Sequence, residues 1–356
     1  MGLTHRLIHE IQTTGPITVA DFMSRCLFDP LHGYYATRPA LGADGDFITA
    51  PLVSQMFGEM LAVWAIQAWR DLGEPARFTL CEAGPGDGTL MDDLLRAARV
   101  APVFLAAAQV RLVEPSAPLR HRQAERLKDH HPDLEWVRGM ADLFGRGPVL
   151  IIANEVLDCL PARQFVRRED GWAERRVGVR DGRLVFGLEA AAGFIAPDLE
   201  VQPGQVVEQS AAQARFATEV AEAVARRGGH ALLIDYGRDR PEAGDTLQAL
   251  KRHQKVDVLE TAGQADLTVW ADFPAVAEAA AEAGARPSPI IPQGALLRAL
   301  GIEMRAARLA QSRPDHAQAI HSQLQRLIDP EEMGVLFKAL CLSHPKAPPP
   351  PGFPNP

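Results

Sequence analysis

Twelve residues decide the fold: Phe78-Thr79-Leu80-Cys81-Glu82-Ala83-Gly84-Pro85-Gly86-Asp87-Gly88-Thr89. The run from Phe78 to Cys81 reads as a short strand buried on both faces. It passes straight into three glycines at alternate positions, and helical spacing from Thr89 to Ala98 follows. Glycine lets a backbone pass close beneath a ligand, because a Cβ would occupy that space. A tight turn accounts for a bare G-x-G; the strand-loop-helix context, the third glycine and the preceding acid favour a ligand loop. A dinucleotide fold wants G-x-G-x-x-G, with a pyrophosphate on the helix N-terminus. Here Thr89 stands where that pattern wants glycine, and Glu82 would repel a pyrophosphate. A cationic ligand suits that carboxylate better.

Outward from this loop, short apolar runs alternate with helices. Val110–Val113, Leu134–Val137 and Val149–Ala153 read as further strands, with a helix from Pro118 to Lys128. Such alternation implies right-handed βαβ units and a parallel sheet covered on both faces. The pattern then changes. Arg163–Arg168, Trp172–Val179 and Arg183–Leu188 read as an antiparallel meander, turned at Asp170-Gly171 and Asp181-Gly182. A helix over Ala211–Arg227, a strand at Ala231–Ile234, a helix at Ala275–Ala283 and a last strand at Leu336–Leu342 complete the core. Upstream, Leu3, Leu7, Ile8 and Ile11 define one helix, and Thr18 with Asp21 forms a capping box for a second, to about Leu27. Asp29–Pro51 is a long loop, and the stripe Val53, Met56, Phe57, Met60, Leu61, Trp64 and Ala68 marks a helix stopped by Gly73 and Pro75. The tail holds seven of the 28 prolines in residues 345–356 and is expected to be extended and unpacked.

The chain has 356 residues, a soft prior of about two units at roughly 150 residues each. Hydrophobic residues at 47% and charged residues at 23% exclude wholesale disorder. With 37 basic and 45 acidic residues the net charge is −8, which argues against general nucleic-acid binding. There is no run of 18 apolar residues, so no membrane insertion is expected. Cys26, Cys81, Cys159 and Cys341 form no C-x-x-C pair and read as reduced thiols. The first residues, MGLTHRLIHEIQ, lack the apolar centre of a secretory signal. A cytoplasmic chain is expected. The eleven histidines show no metal-ligand spacing, so no metal is expected.

Glu82-x-Gly84-x-Gly86-x-Gly88 resembles the first motif of class I S-adenosylmethionine (SAM)-dependent methyltransferases. Asp46–Pro51, Ser54-Gln55 and Phe57-Gly58-Glu59 resemble, more specifically, the MidA family, mitochondrial complex I assembly-factor methyltransferases and their bacterial relatives. The resemblance continues through Val113–Ser116, Asn154–Asp158 with Leu160-Pro161, Asp235-Tyr236-Gly237, Asp266–Thr268, Gln293-Gly294 and Met333–Lys338. It implies an α/β, Rossmann-like class I methyltransferase sheet, with an N-terminal helical and lid segment and an inserted antiparallel β-meander. The expected divisions are 1–59 for helices and lid, 60–161 and 211–342 for the two parts of the core, the second with helical insertions, 162–210 for the meander, and 343–356 for a disordered tail. It also implies SAM as cofactor, a protein arginine as acceptor, and a complex I subunit or similar protein as partner; a homodimer is one assembly open to it. At Gln248-Ala249 the chain departs from the family's arginine-glycine, which bears on the substrate rather than the cofactor.

The cofactor-binding candidates are Glu82, Gly84, Pro85, Gly86, Gly88, Glu114, Asp142 and Asn154. Glu114 ends the second strand, where an acid can accept ribose hydroxyls; Asp142 is placed for an adenine amino group. Methyl transfer from a sulfonium is an in-line displacement, so positioning dominates. A guanidinium is cationic and needs carboxylates to hold it beside a sulfonium. The candidates for that work are Glu155, Asp158 and Asp235, by analogy with arginine methyltransferases. Asn154 and Glu155 could instead serve only to orient their loop. Tyr34, Tyr35, Asp46, Phe47, Thr49 and Gln55, with Tyr236, are expected as substrate and lid residues that exclude water. Two other classes compete: a SAM-binding assembly factor with little transferase activity, and an NAD-dependent oxidoreductase that the loop spacing disfavours.

Overall fold

A computed structural model describes residues 2–37, 49–191 and 193–354. The chain divides into two compact units. The larger comprises Ile48–Val156, Arg215–Asp239 and Phe273–Pro356; the smaller comprises Met1–Phe47, Leu157–Ala214 and Arg240–Asp272. Residues 240–272 thus cluster with the meander and not with the core.

The larger unit is built on six strands: β1 (Phe78–Ala83), β2 (Ala108–Val113), β3 (Leu134–Val137), β4 (Val149–Asn154), β5 (Gly229–Arg238) and β6 (Phe337–Ser343). They lie in the order β6-β5-β4-β1-β2-β3. All are parallel to their neighbours except β6, which runs antiparallel to β5. Beyond β6, Arg286–Pro287 and Ile291–Pro292 extend the edge. The order reverses between β1 and β4, and open α/β sheets bind ligands at the carboxyl ends of strands beside such a reversal. Every residue of β1, β4 and β6 is buried, as two-sided helical cover requires. β5 is longer than the four residues expected, because its extra length pairs with β6, Tyr236 facing Phe337.

Helix packing explains residues that resembled a family motif. The helix Gln55–Asp71 crosses Thr89–Ala97 so closely that a Cβ on Gly58 would lie 2.6 Å from the Asp93 Cβ. Buried Glu59 receives two hydrogen bonds from the Arg305 guanidinium, at 2.7 and 2.8 Å, and one from Gln55 Nε2 at 3.0 Å. Three helices that the sequence reading did not place individually follow these short edge strands: Gln293–Ala299, Ile302–Ser312 and Ala317–Ile328. Buried Gln293 donates to the Leu327 carbonyl at 3.0 Å, and Gly294 leaves no room for a side chain against Ile328.

The proline-rich tail is not unpacked. Phe353 is buried in the main core, and the Arg286 guanidinium donates to the carbonyls of Ala347 and Pro348 at 2.8 and 3.3 Å. The tail also turns on itself, the Ala347 amide donating to the His344 carbonyl at 2.9 Å and the Phe353 amide to the Pro350 carbonyl at 3.4 Å.

In the smaller unit, Gly171–Arg180 is flanked by Arg183–Ala190 on one edge, and by Arg163–Arg168 and Ile17–Thr18 on the other. Val206–Gln209 lies beyond Arg163–Arg168. The second hairpin turns at Asp181-Gly182 as expected. The first turns one residue early, at Glu169-Asp170, because Arg168 already pairs with Gly171. Helix Val19–Phe28 begins with the Thr18–Asp21 capping box, the Asp21 amide donating to Thr18 Oγ1 at 2.9 Å. Where the chain departs from the family pattern, Ala249 is buried in a three-stranded sheet. The neighbouring Asp245 pairs with Arg175 at 2.8 Å.

Truncating Phe353 to Ala should cost about 3 kcal/mol in urea unfolding, as for other buried phenylalanines; an unpacked tail would give no change.

Candidate active site

The register aligns the strand ends. Ala83 of β1 faces Val113 of β2 and Ala153 of β4, while Asn154 faces Ile234 of β5. The residues that follow, Gly84, Glu114, Glu155 and Asp235, therefore stand in a row. The Gly84 amide donates to the Val113 carbonyl at 3.1 Å, and the Glu155 amide to the Ile234 carbonyl at 2.9 Å.

Gly84 has φ +67, and a Cβ there would lie 2.7 Å from Val156 Cγ2. Both the conformation and the space demand glycine. The loop closes through the Gly88 amide on the Pro85 carbonyl at 2.8 Å, and Asp87 Oδ1 accepts from the Thr89 amide at 3.0 Å. Arg126 pairs with Asp87 at 3.0 Å.

Glu82 is buried, and its Oε2 has no hydrogen-bond partner among the described residues. Burial pushes its carboxyl up to about 8, and the nearby Asp87 adds to the rise. Buried Asn154 likewise carries an Oδ1 without a partner among the described residues. Since Glu82 faces Ile152, two residues before Asn154, both side chains leave the same face of adjacent strands. Two acceptors stripped of water, next to a loop that excludes a Cβ, fit a ligand bearing cationic donors. SAM, with its ammonium and sulfonium, fits that description.

Glu114 is buried, and burial raises its carboxyl, offset by the donors it accepts. Those are the Ser116 amide at 2.8 Å and Gln123 Nε2 at 3.4 Å. Gln123 escaped the sequence reading. It is fully buried, donates to the Gly86 carbonyl at 2.7 Å, and accepts from Trp136 Nε1 at 2.8 Å. One amide thus ties the loop, Glu114 and β3 together. A glutamine on the apolar side of Ala117–Leu127 was the available signal. Asp142 is exposed in the turn that follows β3.

Glu155 takes φ +54, a left-handed conformation that costs a non-glycine residue about 1–3 kcal/mol. Its Oε1 accepts from Asn154 Nδ2 at 2.9 Å and from the Ala50 amide at 3.0 Å. The helix Ala50–Val53 that follows Thr49 is thereby fixed to the end of β4. Asp235 is fully buried, accepts from the Tyr236 amide at 2.8 Å, and Tyr236 packs edge-on against Phe337. Gln55 is engaged with Glu59.

The other candidates belong to the smaller unit. Tyr34 is buried in its core, and Tyr35 donates to Asp266 at 3.1 Å and meets Tyr34 edge-on. Burial holds the Tyr35 phenol well above its ordinary value. Buried Asp158 accepts the Val269 amide on its backbone carbonyl at 2.9 Å. Asp46 and Phe47 lie outside the described residues.

Residues 60–291 match the model of a family of S-adenosyl-L-methionine-dependent methyltransferases, and the chain belongs to that family. It is a SAM-dependent methyltransferase, and the oxidoreductase reading falls. The chain is 35% identical to the mitochondrial protein arginine methyltransferase NDUFAF7 of Danio rerio, over 95% of its own length and 86% of that protein's. The Homo sapiens counterpart is 33% identical over 96% and 83%. Among solved structures, a Burkholderia thailandensis protein bound to S-adenosyl-homocysteine superposes with a TM-score of 0.85 at 30% identity, covering 99% of this chain and 92% of that one. The curated relatives are mitochondrial, which overturns the expectation of a cytoplasmic chain.

Two outcomes follow for ligand binding. Gln123→Ala should weaken S-adenosyl-homocysteine binding by about tenfold in calorimetry, the net worth of one hydrogen bond or slightly more; unchanged affinity would remove Gln123 as the loop's anchor. Below about pH 8 the ligand-free Glu82 carboxyl keeps its proton, and a cationic ligand must expel it. Affinity should therefore rise from pH 6 to 8, with proton release visible as a buffer-dependent enthalpy, and Glu82→Gln should flatten the profile.

Proposed function

We propose that the chain transfers the methyl group of SAM to an arginine side chain of a protein. The observation that carries this reading is its identity, over nearly its whole length, to enzymes named protein arginine methyltransferases. SAM supplies an activated methyl group when bound; the chain's own residues must orient the acceptor nitrogen and offset its charge. Glu82, Gly84, Pro85, Gly86, Gly88, Glu114, Asp142 and Asn154 are proposed to hold the cofactor.

Glu155 and Asp235 are proposed to hold the guanidinium. Glu155 follows β4 and Asp235 lies on the neighbouring β5 at the same level, joined by the Glu155 amide on the Ile234 carbonyl. The Asn154 side chain and the Ala50 amide both donate to Glu155 Oε1, which orients the carboxyl group at the strand end. A strained non-glycine residue at a strand end is the kind of outlier that functional sites retain. Asp158 enters the proposal on its position three residues after Glu155, and Thr49 and Tyr236 as residues beside the acceptor. Tyr34, Tyr35 and Gln55, with Asp46 and Phe47, remain proposed as residues that exclude water. The family resemblance supports a respiratory complex I subunit as the protein substrate; a homodimer is proposed as the assembly.

Glu155→Gln should cut transfer of tritiated methyl from SAM to recovered partner protein by about a hundredfold or more, with S-adenosyl-homocysteine affinity within about threefold of wild type. Equal labelling by the variant would remove Glu155 from the reaction. Mass spectrometry of the labelled peptides checks the acceptor: methyl groups on lysine or on backbone nitrogen would defeat the arginine assignment.

A further inference from the structure

We infer that the strand Arg183–Ala190 is the surface through which two copies of this chain pair. The strand is bonded along its whole length to Gly171–Arg180, from Arg180 facing Arg183 to Ala173 facing Ala190. No other strand among the described residues pairs with it. An open edge of eight residues is a template for another strand, and native proteins cover or blunt such edges.

The strand's own sequence specifies the cover. Asp181 and Gly182 have φ +51 and +73, the geometry of a two-residue I′ turn. Arg180 and Arg183 therefore form the hydrogen-bonded pair that closes the hairpin, and Leu184, Phe186 and Leu188 direct their backbone groups to the open side. These positions also carry apolar side chains: Phe186 is 40% exposed and Leu188 47%, while Leu184 is buried. Large exposed hydrophobics on adjacent same-face positions of an edge are a mark of an interface.

Antiparallel pairing with an identical strand, about a two-fold axis at Phe186, sets Phe186 against its copy and Leu184 against Leu188. On the other face, Arg183 meets Glu189 at both ends, and Val185 meets Gly187, whose missing side chain leaves room. The match is one of charge as well as shape, with no like charges opposed. Moving the axis by one residue loses both Arg183–Glu189 pairs. Glu189 is already oriented by Arg176, at 3.4 Å on the neighbouring strand. A two-fold contact of this kind uses the same patch twice and closes on itself. The inference does not depend on the transferase chemistry.

Sedimentation equilibrium of the full chain tests it. The wild type should sediment at twice its chain mass at micromolar concentration. Glu189→Arg opposes arginine to arginine at both ends and should raise the dimer dissociation constant by about tenfold or more. The swapped pair Arg183→Glu with Glu189→Arg should restore it, although the contact with Arg176 is lost in both. A monomeric wild type, an unaffected Glu189→Arg dimer, or a swap without recovery would each overturn the inference. Independently of those variants' folding, Phe186→Cys should form a disulfide-linked dimer under mild oxidation, since directly opposed Cα atoms lie about 5.5 Å apart. Leu188→Cys should not, and the reverse pattern would overturn the register.

Discussion

Parallel register between neighbouring strands is the constraint on which the site depends. Because Ala83, Val113 and Ala153 face one another, and Asn154 faces Ile234, the residues Gly84, Glu114, Glu155 and Asp235 stand at one level of the sheet. A shift of one residue in any strand would send its terminal acid to the opposite face. The uniform burial of β1 and β4 fixes that register, since two-sided apolar strands settle where both layers of helices pack. The chemistry at the strand ends is thus held by side chains that take no part in it.

Glu82 shows what that precision costs. A carboxyl sealed in the sheet keeps its proton up to about pH 8, so the ligand-free fold becomes less stable as pH rises from the ordinary carboxylate range towards that value. The unfolded chain gives up the proton earlier, and this sets the sign. A cationic ligand reverses the balance by making the charged form the favoured one. Binding and folding are coupled through a single proton.

The glycine loop was legible because its information is local: strand, turn and helix lie within a dozen residues, as do the Thr18–Asp21 capping box and the Asp181-Gly182 turn. Gln123 was not legible, because its importance arises only when helix, loop and β3 meet. Ile302–Ser312 and Ala317–Ile328 could be expected only as unplaced helical insertions, because their polar faces break the apolar pattern and much of their length is exposed. The tail was misread for the converse reason. Composition reports the many prolines and not the one phenylalanine that finds the core. The motif around Gln55 and Glu59 includes an ion-paired helix crossing, Glu59 accepting from Arg305. A recurring sequence pattern does not say whether chemistry or packing preserves it.

Each unit is assembled from three separated stretches of the polypeptide, interleaved along the chain. Neither can be excised as one continuous fragment, and neither completes its contacts until the last of its stretches has been made. Pairings so distant in sequence close large loops before any contact repays the lost entropy, which slows folding. A newly made chain of this kind carries bare sheet edges and unburied helix faces for an extended interval, when chaperones and aggregation compete for it.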